Sequence, residues 1–289
     1  MTFTDADTRR TTVGRVIAGS VYDLSGVVGE RTLREVVAAW DELRPAIAAV
    51  KELPMVHAPL LQAPIPLPGN LYAVGKNYRD HVQEFGRSGY DHPDLSTDLP
   101  RVPVVFSKVP SSVTGPYDAI DPHPDVTSEL DYEAELAVII GRGGRGITRE
   151  AAMDHVWGYT IINDVTARDQ QRDHQQWLIG KSLDTFAPMG LWAVTADAIG
   201  DPAHLVVSST VNGELRQQAP VADMIFDIPE LIRTISAGIT LHSGDIIATG
   251  TPAGVGIGFD PPRFLQPGDV VECSITRLGV LRNTVLAPA

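Results

Sequence analysis

"SELDYEAELAVIIG", Ser128 to Gly141, is the stretch on which the reading of the fold turns. Its second half is a short apolar run of strand formers, far below the length that spans a bilayer. Its first half sets Asp131, Glu133 and Glu135 at alternate positions, which in an extended chain share one face. Close like charges on one face repel unless water or a cation lies among them. Either the face is solvated or it holds a positive ion, and the pattern by itself leaves both open. Oxygen-only ligation suits Mg²⁺, Mn²⁺ or Ca²⁺ and not zinc, which prefers His and Cys.

Similar short β-rich runs recur beyond Leu71: "LYAVG", "PVVFSK", "YTIIND", "LWAVTA", "LVVSSTVNG", "DIIATG" and "DVVECSIT". Gly, Pro, Asn and Asp punctuate them. Helical patterns are few: "TREAAMDHV" after Thr148, with Thr as N-cap, and "DIPELIRTIS" from Asp227. Strands and helices do not alternate regularly, so a doubly wound sheet or an eight-fold barrel is disfavoured. The expected class is α+β, mainly β, a mixed β-roll. Ahead of it, "GRVIAGSVYDLSG" reads as strand and turn, and Leu33, Val36, Val37 and Trp40 recur at helical spacing, with Pro45 expected to bend or end that helix. The Pro-rich "APIPLPGN", Ala63 to Asn70, reads as an extended connector. The boundary falls there, giving a small N-terminal α/β domain over 1–68 and a larger β-rich domain over 69–289.

The chain has 289 residues, enough for a complete enzyme, and its 23 basic against 36 acidic residues give a net charge of −13 spread along the sequence. That balance argues against nucleic acid and anionic membranes as partners, and an anionic substrate would need local help from a metal or from particular Arg and Lys residues. The one cysteine, Cys273, fits a reducing compartment, and the N-terminus lacks the apolar core of a signal peptide. A cytoplasmic, soluble protein is expected.

Four further stretches carry candidate chemistry. "IINDVTARDQQ" ends an apolar strand on Asn163 and Asp164, with Arg168 and Gln171 following as donors; the motif also reads as a simple strand terminator. In "VGKNYRDHVQEFG", His81 and Glu84 share a face if the segment is helical, so the carboxylate can orient the imidazole; a surface ion pair reads equally well, and Asp80 reads as solvated. Lys181 follows an apolar stretch in "WLIGKSLDTFAPMG", and a lysine drawn out of solvent at a strand start can stabilise an oxyanion or enolate. Thr251 sits in "GDIIATGTPAGVG", a Gly-rich turn whose amides could approach a ligand. "GRGGRG" at 141–146 lacks the spacing of a phosphate loop and reads as a turn. The remaining histidines do not cluster, and no Gly-x-Ser-x-Gly or Cys/His pattern supplies a covalent nucleophile.

The order of these pieces carries more than any of them alone. "GKNYRDHVQE", "KVPSSVTGPYDAI", "DYEAELAVIIG", "GYTIINDVTARDQQ", "GKSLDTFAPMG", "VNGELRQ" and "GDIIATGTPAGVG" in succession resemble the fumarylacetoacetate hydrolase family from about Leu71 onward. The resemblance implies a dimer of mixed β-rolls with one Mg²⁺ or Mn²⁺, Ca²⁺ in some members, per subunit. By position it implies Glu133, Glu135 and Asp164 as metal ligands, with Asp131 left without a role. It implies His81 and Glu84 as a water-activating dyad on a lid segment, and places Lys181, Arg168, Gln171 and Thr251 around a small 2-oxo or 2,4-dioxo acid.

With His81 directly after Asp80, the chain looks more like the bacterial acylpyruvate, decarboxylase and sugar-acid branch. The leading expectation is hydrolysis of a carbon–carbon bond in a 2,4-dioxo acid; oxaloacetate decarboxylation or isomerisation of a 2-hydroxydienoate would use the same enolate chemistry, and a catalytically silent homologue is the rival from another class. The polar stretch after the dyad, with Arg87, Tyr90 and His92, reads as a lid facing the distal end of the substrate.

Overall fold

The computed structural model describes residues 1–88 and 99–287. The N-terminal part is an antiparallel sheet of β1 (Thr2–Thr4), β2 (Thr11–Ile17), β3 (Ser20–Asp23) and β4 (Leu60–Gln62), ordered β3-β2-β1-β4. Helices α1 (Ser25–Val28), α2 (Leu33–Ala38) and α3 (Trp40–Ala49) lie between β3 and β4. Thr32 and Glu35 close α2 with a reciprocal capping box. The helical break falls at Ala39 and not, as the sequence suggested, at Pro45, which lies inside α3. Pro45 faces solvent, where water can satisfy the carbonyl its missing N–H leaves free.

The irregular, Pro-rich stretch 63–70 leads into β5 (Leu71–Gly75), α4 (Arg79–Arg87), β6 (Val104–Lys108), β7 (Val113–Thr114), β8 (Leu130–Asp131), β9 (Ala134–Ile140) and β10 (Val156–Asn163). Next come β11 (Thr166–Ala167), α5 (Arg168–His174), α6 (Leu178–Lys181), β12 (Ala187–Thr195), α7 (Ala196–Ile199), β13 (Val206–Val211), β14 (Glu214–Pro220), α8 (Ile228–Ser236), β15 (Ile246–Ala248), β16 (Val270–Ile275) and β17 (Gly279–Thr284). The segment "TREAAMDHV" is not the expected helix but turns followed by one 3₁₀ turn, Ala152–His155. Arg149 there pairs with the N-cap Asp227 of α8, which holds the stretch against that helix rather than letting it wind on its own axis.

The mixed sheet that positions the site runs β6-β5-β15-β9-β10-β12-β7, with β15 parallel to β5, β12 parallel to β7, and the other pairs antiparallel. It curls so that its two edges, β6 and β7, are separated only by residues 109–112. The class is α+β with strands prevailing, as the sequence suggested. β9 is buried along its whole length, and its alternation explains why. Leu136, Val138 and Ile140 pack with Val207, Val271, Cys273 and Leu281 of the second sheet, ordered β14-β13-β16-β17. Ala137 and Ile139 pack with Leu33, Val36 and Val37 of the N-terminal helices. Both faces of the central strand are thus covered, and only its N-terminal end is left to open onto chemistry. No helix among the described residues is long and apolar enough to cross a membrane.

Candidate metal centre and active site

Glu133, Glu135 and Asp164 meet at the junction of β9 and β10. The strand from Asp131 is not continuous: it breaks at Tyr132–Glu133, so Asp131 belongs to a short ladder with β11 while Glu135 lies in β9. The break swings Glu133 toward β10, where its amide donates to Asn163 Oδ1 at 3.0 Å and its carbonyl accepts from the Asp164 amide at 2.8 Å. One oxygen from each of Glu133, Glu135 and Asp164 lies within 4.8 Å of the others, and all three residues are buried. Oxygen donors so close and so dry match a hard divalent cation.

The charges around the triad test that fit. Lys181 Nζ lies 2.9 Å from both Glu133 Oε2 and Asp164 Oδ2. Lys108 Nζ donates to Asp164 Oδ1 at 2.6 Å and to the Val165 carbonyl at 3.1 Å. Arg168 divides its guanidinium between Asp131, at 2.8 Å through Nε, and Glu133, at 2.8 Å through Nη1. Four buried carboxylates therefore meet three buried cations. Burial alone would raise Glu133, but Lys181 and Arg168 outweigh it and hold the carboxyl below its ordinary value. Glu135, which has no ion pair among the described residues, is pushed well above the carboxylate range by burial and then by Asp164 and Glu133, with Lys181 opposing the shift. With Glu135 ionised the centre would carry one negative charge more than its cations, and a bound divalent ion would favour that ionised form.

The two lysines differ although both hold Asp164. Burial opposes the charge on each; Lys181 has two carboxylates and ends above its ordinary value, while Lys108 has one, faces Lys181, and is drawn down to about 8. Lys181 closes the short helix α6, correcting the expectation of a strand start.

His81 and Glu84 lie on α4, with His81 Nδ1 at 3.2 Å from Glu84 Oε2, which leaves Nε2 for the cavity. The other Glu84 oxygen accepts from the Gly254 amide at 2.9 Å, and Phe85 packs with Val255 and Ile257 to seat the helix. Asp80 is exposed, as read. Arg168 opens α5 and Gln171 follows one turn on; Arg168 Nη1 lies 3.1 Å from Gln171 Oε1. Thr251 donates to the Ala134 carbonyl at 3.0 Å and accepts from Gln217 at 2.7 Å. His81, Glu133, Arg168, Gln171, Lys181 and Thr251 all line one cavity of about 20 Å³, together with Phe85, Phe106 and Trp177. Glu84, Glu135 and Asp164 stand behind that lining. Arg87 ends α4, whereas Tyr90 and His92 lie outside the described residues.

The Gly-rich turn after β15 behaves differently from the expectation that its amides would meet a ligand. They bind the site's own carboxylates instead: Gly250 to Glu135 at 2.8 Å, Gly254 to Glu84 at 2.9 Å, and Gly256 and Ile257 to Asp131 at 2.6 and 3.0 Å. Sequence reasoning also passed over Lys108 and Gln217. Lys108 ends the apolar run "PVVFSK", a weak sign of a buried lysine. Gln217, in "VNGELRQ", accepts from the Ala134 amide between two of the triad residues and donates to Thr251 and the Pro252 carbonyl.

A curled mixed sheet with an oxygen-only triad and a His–Glu pair on one cavity describes a class of metal-binding enzymes. Residues 70–286 match the family profile described as fumarylacetoacetate (FAA) hydrolase, C-terminal. The chain is an enzyme of the fumarylacetoacetate hydrolase family. It is 54% identical over 226 residues to oxaloacetate tautomerase YisK of Bacillus subtilis, a match covering 78% of this chain and 72% of the relative. Among solved structures it is similar to fumarylacetoacetate hydrolase from Exiguobacterium antarcticum, 44% identical with a TM-score of 0.86 over 99% of both chains. It is also similar to maleylpyruvate hydrolase from Sphingobium sp. SYK-6 in complex with manganese(II) and pyruvate, 32% identical with a TM-score of 0.79 over 99% of both chains.

Proposed function

We propose that this chain interconverts the keto and enol forms of a small 2-oxo acid, a four-carbon diacid of the oxaloacetate type, with Mg²⁺ or Mn²⁺ held by Glu133, Glu135 and Asp164. A bound divalent ion would supply Lewis-acid polarisation of the 2-oxo acid. His81, steered by Glu84, takes the proton from the carbon beside the carbonyl and so acts as general base. Lys181 has two of its three hydrogens engaged by Glu133 and Asp164 and offers the third to the oxygen on which charge develops. Return of a proton to that oxygen gives the enol. Arg168, Gln171 and Thr251 orient the carboxylate.

The observation that carries this reading is the single cavity onto which the His81 imidazole and the Lys181 ammonium both open, a base and an enolate partner together. The similarity to a named oxaloacetate tautomerase supports the choice of substrate. The test follows decay of the enol form of oxaloacetate by ultraviolet absorbance with Mg²⁺ or Mn²⁺. Purified protein should accelerate ketonisation above metal and buffer alone, and an unchanged rate would remove the assignment.

A second reading keeps the same residues and cleaves a carbon–carbon bond in a 2,4-dioxo acid, with the dyad activating water. The fixing of Glu84 from both sides, by His81 and by the Gly254 amide, favours it, as does the likeness to a maleylpyruvate hydrolase. Release of pyruvate from acylpyruvates, identified chemically, separates cleavage from tautomerisation and from oxaloacetate decarboxylation.

A further inference from the structure

Asp131 was the carboxylate left without a role, and it is among the most completely bonded side chains in the protein. Its exposure is 0%. Oδ1 accepts from the Tyr132 and Gly256 amides at 2.8 and 2.6 Å; Oδ2 accepts from the Ile257 amide at 3.0 Å and from Arg168 Nε at 2.8 Å. Three backbone donors fix the carboxylate before Arg168 meets it, so it is a rigid post rather than a flexible counter-ion. Arg168 in turn reaches Glu133 through Nη1, and its buried Nη2 has no hydrogen-bond partner among the described residues.

We infer that Asp131 is a positioning residue that holds Arg168 by Nε, so that the guanidinium touches Glu133 through one nitrogen and keeps Nη2 for a substrate carboxylate. The geometry of an arginine fork explains the effect. Freed from Asp131, the guanidinium could rotate to a two-nitrogen pairing with Glu133. That pairing would occupy the oxygens a metal needs and consume the donor meant for substrate. The part concerning substrate rests on the reading given under Proposed function; the part concerning the metal does not.

The experiment compares wild type, Asp131→Asn, Arg168→Gln and the double variant, each loaded with Mn²⁺. Mn²⁺ affinity is read by electron paramagnetic resonance and oxalate affinity by calorimetry. Each single variant leaves its remaining partner hydrogen-bonded, Asp131 by three amides and Arg168 by Glu133 and Gln171. The double variant strands neither charge and keeps the comparison open should Asp131→Asn fail to fold. Asp131→Asn should weaken Mn²⁺ and oxalate binding by about tenfold each, with kcat on any accepted 2-oxo acid falling less than KM rises. The double variant should match Arg168→Gln, because the effect passes through Arg168. Unchanged Mn²⁺ and oxalate affinities in Asp131→Asn, or a double variant weaker than Arg168→Gln by the further Asp131 factor, would overturn the inference. Failure of oxaloacetate turnover in the wild type alone would remove the proposed function and leave both binding comparisons standing.

Discussion

Glu135 is the triad member with no ion pair among the described residues, and its proton would be a handle on a bound metal. Burial and two neighbouring carboxylates raise its folded pKa above the unfolded value. The sign follows: the protonated form is favoured on folding, so the metal-free protein loses stability as pH rises from the unfolded carboxyl value toward the folded one. A divalent ion held by the triad would displace that proton. Mn²⁺ affinity should therefore rise with pH across this range with release of a proton, measurable by calorimetry in buffers of different ionisation enthalpy; a pH-independent affinity would place the proton elsewhere. His81 offers a complementary test. Its alanine variant should lower kcat by about 10²–10⁴-fold while Mn²⁺ affinity stays at the wild-type value, since it stands outside the triad. Spacing alone left the face of Glu133 and Glu135 open between water and a cation, and it was the family resemblance that joined them to Asp164, with which the structure groups them. Asp131, Lys108 and Gln217 were not legible, because their partners are supplied from distant parts of the chain and burial is a property of the tertiary fold.

At the scale of elements, short strands and breaks matter more than long regular pieces. The sequence indicated β9 and β10 well, since continuous apolar runs mark strands covered on both faces. It indicated the break at Tyr132–Glu133 poorly: an alternating pattern looks unbroken until the pairing partners of each half are known. The turn after β15 shows how an element without reactive side chains can still arrange a site. Gly254 has φ 105°, and a Cβ there would collide with the Arg216 carbonyl oxygen. Gly254→Ala should cost about 2 kcal/mol or more of stability and lower turnover as Glu84 loses its amide. Chemical denaturation and steady-state kinetics check the two effects separately.

Across the whole molecule, one apolar cluster spans the partition proposed at 68/69. Val28, Leu33, Val36 and Val37 share it with Leu71, Ala73, Ala137 and Ile139, so the N-terminal unit covers a face of the seven-stranded sheet. Calorimetry should record a single unfolding transition for the full chain. A chain beginning at residue 69 should be poorly soluble, because it exposes that face; a well-folded, monodisperse fragment would contradict the shared core. The turn following β15 has one more consequence, in time rather than in space. Its amides at Gly250, Gly254, Gly256 and Ile257 clasp the carboxylates of Glu135, Glu84 and Asp131. A local opening that frees one of them disturbs the others, and these four amide hydrogens should exchange with solvent deuterium as one slow cooperative unit, slower still with Mn²⁺ bound.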